Sequence, residues 1–236
     1  MEDNKNFNIP NYFYDLIVFV SPSILLIIGF LFGMPKFTKD LLNNIKGNLG
    51  AIDFILVILL ILFMAYEYGR FAEALSHTFV SRMIDLLKKI FLIKKLFKSI
   101  DYNTDFSSLV VDIELPIEIQ RNKHNNKWTI YFYALLVSPS IGQDLLKRYA
   151  WEKLSRSSAF TFEILFFTSI IHSFFSFFGL SSLPIQAYSF GSYQYTSIVF
   201  VFSFCTAYEY YRRKCWNNDL LFKIFPILKM AQLMAK

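Results

Sequence analysis

The sequence predicts an all-α integral membrane protein: four transmembrane helices, cytoplasmic amphipathic helices, and a small α+β cytoplasmic insert between spans two and three. Three observations carry this reading. Of the 236 residues, 55% are hydrophobic, 28 are phenylalanine and only 18% are charged, a balance outside that of soluble domains. The 45 residues from Ile164 to Tyr208 contain no formal charge. Lysine and arginine gather beyond the ends of the apolar runs, as the positive-inside rule requires.

A hydrocarbon core about 30 Å thick takes about 20 mostly apolar residues at about 1.5 Å each. The first such run covers roughly Tyr12 to Gly33 and the second roughly Ala51 to Phe71. Spans three and four share the uncharged stretch, joined by a turn carrying Gly and Pro. The first run is read as a true span and not a signal peptide, because Glu2, Asp3 and Asp15 oppose the basic leader that a signal needs. The expected division is a first transmembrane hairpin (1–76), a cytoplasmic insert (77–158), a second transmembrane hairpin (159–212) and an amphipathic tail (213–236).

Orientation follows from charge. Glu73 to Ser158 hold 13 Lys and Arg against 9 Asp and Glu, and the tail from Tyr211 holds 6 against 1. The turn from Leu180 to Gln194 has none. Both termini are therefore expected on the cytoplasmic side, although Lys36, Lys39 and Lys46 in the first loop run against the trend.

The segment "AYEY" occurs at Ala65–Tyr68 and again at Ala207–Tyr210, each time at the inner end of an apolar run. Its tyrosines read as an aromatic belt. Glu67 and Glu209 have two readings: i,i+3 ion pairs with Arg70 and Arg212, or a ring of carboxylates lining a cation path or substrate entrance. "VSPSI" at Val20 and Val137 has a different spacing, and its likeness is ascribed to chance. At Ser138 and Pro139 it reads as an N-cap followed by Pro at the first helical position, whereas at Ser21 and Pro22 it predicts a bend.

Span three carries the polar face. Ser169, His172, Ser173 and Ser176 fall within roughly a 100° wedge, with His172 near mid-membrane. Three readings compete: small residues for close packing, an interhelical hydrogen-bond seam, or the wall of a pore with His172 as proton acceptor or gate. Gly29 and Gly33 form a GxxxG spacing that predicts close helix packing.

Within the insert, Phe79 to Ile100 is a basic amphipathic helix, either extending span two or lying in the interface. Lys88, Lys89, Lys94, Lys95 and Lys98, with Arg212, Arg213 and Lys214 after span four, are the expected contacts to anionic headgroups at about 1 kcal/mol each. Nucleic acid ranks below lipid, since no nucleic-acid-binding motif accompanies these residues. "SSLVVDIELPIEIQ" and "KWTIYFYALLV" alternate partly at period two and predict a β-hairpin across "RNKHNN". The tail, with Leu220, Leu221, Ile224, Phe225, Leu228 and Met234 apolar, is expected on the membrane surface, broken or kinked at Pro226.

No GxSxG, HExxH, P-loop, GxGxxG or paired-aspartate motif occurs, and Cys205 and Cys215 lack metal-ligand or CxxC spacing. The reading therefore assigns no catalytic residue, metal or cofactor. It expects a non-enzymatic, homo-oligomeric pore-forming or membrane-perturbing effector controlled through the insert. The alternatives are an anchor or scaffold for a cytoplasmic protein partner, or a small ion transporter. In span number, and in Tyr68-Gly69 closing span two, the chain resembles small four-span membrane proteins of prokaryotic genomes. That resemblance implies a prokaryotic inner-membrane location and, for some such proteins, a role in phage defence.

Overall fold

The computed structural model describes residues 11–34, 38–40, 43, 50–90, 97, 126–178 and 193–235. Among them it is all-helical. Five long helices follow one another: α1 (Asn11–Gly33), α2 (Ala51–Lys89), α3 (Asn126–Val137), α4 (Pro139–Phe177) and α5 (Tyr193–Ala235). By length and composition two of them are able to cross a membrane, α2 from Ile55 to Lys89 and α4 from Pro139 to Phe175. The apolar part of α1, Ile17–Gly33, is shorter, and α5 does not reach the same measure among the described residues.

The β-hairpin expectation is corrected. Its second strand, Lys127 to Val137, lies in α3. The buried side chains Ile130, Tyr131, Tyr133 and Ala134, with Val137 partly buried, recur at helical spacing and form one face. Strand propensity of β-branched and aromatic residues is a preference for a half-buried surface, and here a helical face satisfies it. The expected first strand, Ser107 to Gln120, lies outside the described residues, as does most of the turn from Leu180 to Gln194.

α3 gives way to α4 at Ser138 alone, where the chain reads as predicted. The Ser138 carbonyl accepts the first intrahelical bond, from Gly142 N–H at 2.9 Å, while Pro139 begins the helix without needing a donor. Gly142 is needed at this corner, because a Cβ there would stand 2.6 Å from Leu135 Cα. Proline does not break the other helices. α1 runs through Pro22 and α5 through Pro226, so the expected tail is a continuation of the fourth apolar helix. Likewise α2 continues unbroken into the basic segment as far as Lys89.

The chain divides into two compact units, the first of residues 1–85 and 153–209, the second of 86–152 and 210–236. In unit 1, α1 lies antiparallel to α2: Phe19 stacks edge-on against Tyr66, and the Ser23 hydroxyl reaches the Ala65 carbonyl. Gly69 permits this contact, since any Cβ would fall inside the Phe19 backbone carbonyl. α4 and α5 also run antiparallel, with Phe162 stacked on Phe202 and Phe166 tilted against Phe200.

One stretch of unit 1 has no protein cover. Ile55, Leu56 and every residue from Ile58 to Met64 on α2 are exposed, so the helix is bare through nearly two full turns in all directions. In water these nine side chains would forfeit on the order of 10 kcal/mol of burial, each keeping about half its surface. Apolar exposure of this extent on a helix marks contact with lipid or another protein. From Asp53 to Arg70, both exposed, the helix rises about 26 Å, close to the thickness of a hydrocarbon core.

Unit 2 builds a core of its own. Ile130, Tyr131, Tyr133 and Ala134 of α3 meet Leu145 of α4 and Leu221, Phe225 and Leu228 of α5. The apolar face of the tail is thus taken up by protein. The expectation of a surface-bound tail misses this because its partner face, on α3, reads as strand.

Candidate functional site

Of the polar face predicted on the third apolar run, Ser169 is committed to a neighbouring helix. Ser169 is fully buried and its hydroxyl pairs with that of Thr196 on α5. Ser173 donates to the Ser169 carbonyl at 2.9 Å, a bond within α4. His172 is half-buried, and the Ser176 side chain lies outside the described residues. Two further hydrogen bonds of unit 1 join helices in the same way. Tyr195 hydroxyl donates to the Gly29 carbonyl at 2.9 Å, and the Tyr68 and Thr161 hydroxyls meet at 3.2 Å. Each such bond contributes about 1 kcal/mol and, more to the point, satisfies a group that would be costly to bury alone.

Gly29 and Gly33 work within the chain: Gly29 receives the Leu165 side chain of α4, and Gly33 is buried. Glu67 forms the expected i,i+3 pair with Arg70, 3.6 Å apart, but its side chain is 47% exposed. Glu209 is half-buried. Exposed pairs of this kind contribute between nothing and about 1 kcal/mol.

A second ionic group in unit 1 is absent from the sequence reading. Arg156 Nη2 lies 3.1 Å from Glu73 Oε1, and Lys153 Nζ lies 3.2 Å from the same oxygen. Arg156 Nε donates to the Ser76 hydroxyl at 3.1 Å, and that hydroxyl donates to the Glu73 carbonyl. Two cations thus share one carboxylate across α2 and α4. Arg156 is the most enclosed member, with a side chain 11% exposed. Partners about 80 residues apart leave no local pattern to read. The one signal is the run of small residues Ser155 to Ala159, which lets neighbouring helices approach until Arg156 is enclosed.

Glu163 is the other residue missed. It precedes the uncharged stretch by one position and looks, in sequence, like its inner boundary. In the fold it is 4% exposed, and among the described residues nothing donates to its Oε1. The acid buried in the apolar bundle is therefore Glu163, while Glu67, singled out by its repeat, is open to the surroundings.

Unit 2 holds the basic and aromatic side chains expected near headgroups. Lys88 donates to the Tyr211 hydroxyl at 2.7 Å and sits 4.2 Å from the ring centroid. Lys89 and Arg212 are exposed and Lys214 half-buried, while Lys94, Lys95 and Lys98 lie outside the described residues. Arg148 lies over Trp216 and Arg213 over Trp151, each guanidinium about 5.5 Å from its ring, and both indoles are exposed. Such pairs keep a large apolar ring and a cation together at a surface, the arrangement found where apolar and wet environments meet. Beneath them the Asn217 amide donates to buried Glu152 at 2.9 Å. Tyr131 is buried nearby, and burial, with smaller contributions from Glu152 and Tyr149, pushes its hydroxyl well above the ordinary tyrosine range.

Among the described residues no group of three or more His, Cys, Asp or Glu side chains is placed to hold a metal ion. Compared with protein-family models, with curated proteins and with solved structures, the chain matches none.

Proposed function

We propose that the chain is a four-span integral membrane protein, with both termini cytoplasmic, that assembles with further copies of itself into a pore-forming or membrane-perturbing effector controlled through residues 77–158. The observation that carries the membrane part is the bare apolar surface of α2 from Ile58 to Met64. The alternation of uncharged and lysine- and arginine-rich segments supplies the orientation.

Assembly follows from how the polar groups are spent. Ser23, Tyr68, Thr161, Ser169, Tyr195 and Thr196 are engaged within one copy. A conducting path would therefore form between copies. His172 and Ser173 on α4, the latter bonded within its own helix, are half-buried, and in this proposal a neighbouring copy would cover their exposed part. A prokaryotic inner membrane and a defence role belong to this proposal through the resemblance in span number and the Tyr68-Gly69 ending.

The test is release of dye and ions from anionic liposomes carrying the purified protein, with His172→Ala alongside. Release that falls in the variant without loss of insertion supports the proposal. No release at any lipid composition rejects the pore and favours the anchor reading, in which the exposed Trp151 and Trp216 of unit 2 face a partner.

A further inference from the structure

The geometry points to Glu163 as a binding site for a small monovalent cation, a proton or an alkali-metal ion, which neutralises its carboxylate inside unit 1. A buried carboxylate needs charge compensation. A carboxylate 4% exposed, with no donor on Oε1 among the described residues, would face a desolvation cost of several kcal/mol or more. Something positive must therefore accompany it.

Among the described residues the surrounding helices do not supply it. On α4, Arg156 shares a face with Glu163 but stands seven residues away, about 10 Å along the axis, and is committed to Glu73 and Ser76. Lys153 is farther along and binds Glu73. His172 lies nine residues on, about 180° around the helix. On α2 the charged or titratable groups at this level are Glu67 and Arg70, paired with each other and exposed, Glu73, already holding two cations, and His77 and Arg82, both exposed. Tyr68 is directed to Thr161. α1 has no charged residue between Ile17 and Gly33, and α5 has none between Tyr193 and Tyr208. A species small enough to enter a close-packed bundle is what remains. The site stands on burial within unit 1 and holds whether or not the assembly leaks.

Infrared spectroscopy of the full chain in lipid vesicles tests this directly. With a proton as ligand, the wild type at neutral pH shows the carbonyl stretch of a protonated carboxylic acid, which moves down in heavy water and is lost in Glu163→Gln. With an alkali ion as ligand, that band is missing; exchanging sodium for potassium then shifts a carboxylate band in the wild type and not in the variant. Glu163→Asp keeps the carboxyl and displaces whichever band is present, so the assignment survives if Glu163→Gln folds poorly. The inference is overturned by a wild-type spectrum with neither an acid band nor any response to cation exchange. It is equally overturned if either signal persists unchanged in Glu163→Gln and Glu163→Asp.

Discussion

Replacing Gly69 with alanine sets two effects of opposite sign against each other. In a helix interior Ala is preferred to Gly by about 0.5–1 kcal/mol, so propensity alone predicts a more stable protein. Contact predicts the reverse. The new methyl would overlap the Phe19 carbonyl oxygen and stand 2.6 Å from Phe19 Cα, both backbone atoms that no rotamer change can move. The carbonyl oxygen is the limiting contact, and restoring an ordinary separation of about 3.3 Å means withdrawing α1 from α2 by about 1.5 Å. Overpacking of this kind costs about 1–3 kcal/mol, and losing the Ser23 to Ala65 hydrogen bond adds about 1 kcal/mol. After the propensity gain, the expected destabilisation is about 1–3 kcal/mol, read as a shift in the denaturant midpoint of the micelle-solubilised protein. Ala74→Gly, on an exposed position of the same helix, should lose about 1 kcal/mol from propensity alone. A Gly69→Ala protein as stable as the wild type, or more so, would refute the close α1–α2 contact.

Three further outcomes follow from the same structure. In a double-mutant cycle, Glu73→Gln and Arg156→Gln should couple by about 1–3 kcal/mol, since both side chains are largely enclosed, whereas Glu67→Gln and Arg70→Gln should couple by less than about 1 kcal/mol and lose even that in salt. Phe225→Ala should cost about 3–5 kcal/mol of unit 2 stability by emptying the core against α3, with vesicle binding less affected; a tail lying on the membrane would show the opposite pattern. Tyr131 ionises more readily in the unfolded chain than in the fold, so its effect is nil below about pH 10 and draws the protein toward unfolding above it. Tyr131→Phe should therefore raise the pH at which the protein unfolds in alkali, and an unchanged or lowered midpoint would count against the buried hydroxyl.

What the sequence conveys here is whatever depends on near neighbours along the chain. The apolar run of α2, the Ser138-Pro139 start of α4 and the Glu67–Arg70 pair all rest on residues within a turn or two of each other. The α3 segment misleads because Ile130, Tyr131, Tyr133 and Ala134 satisfy both a rough alternation and a helical stripe, and the partner that decides, α5, lies about 90 residues away. Pro226 misleads for a related reason: it removes a single hydrogen bond, and the packing of Phe225 and Leu228 holds the helix through it. Glu163 and the Glu73–Arg156–Lys153 group are illegible locally because burial of a charge is settled by what surrounds it in space. The repeated "AYEY" draws attention to Glu67, yet repetition carries no information about depth.

The most direct test of the central claim is spin-label accessibility along residues 58–64 of α2 in liposomes, one cysteine at a time in a chain lacking Cys205 and Cys215. With lipid around α2 on all sides, every position is open to oxygen and closed to a polar relaxation agent, with no helical period. Access of the polar agent to these positions, or protection recurring every three to four residues, would contradict it.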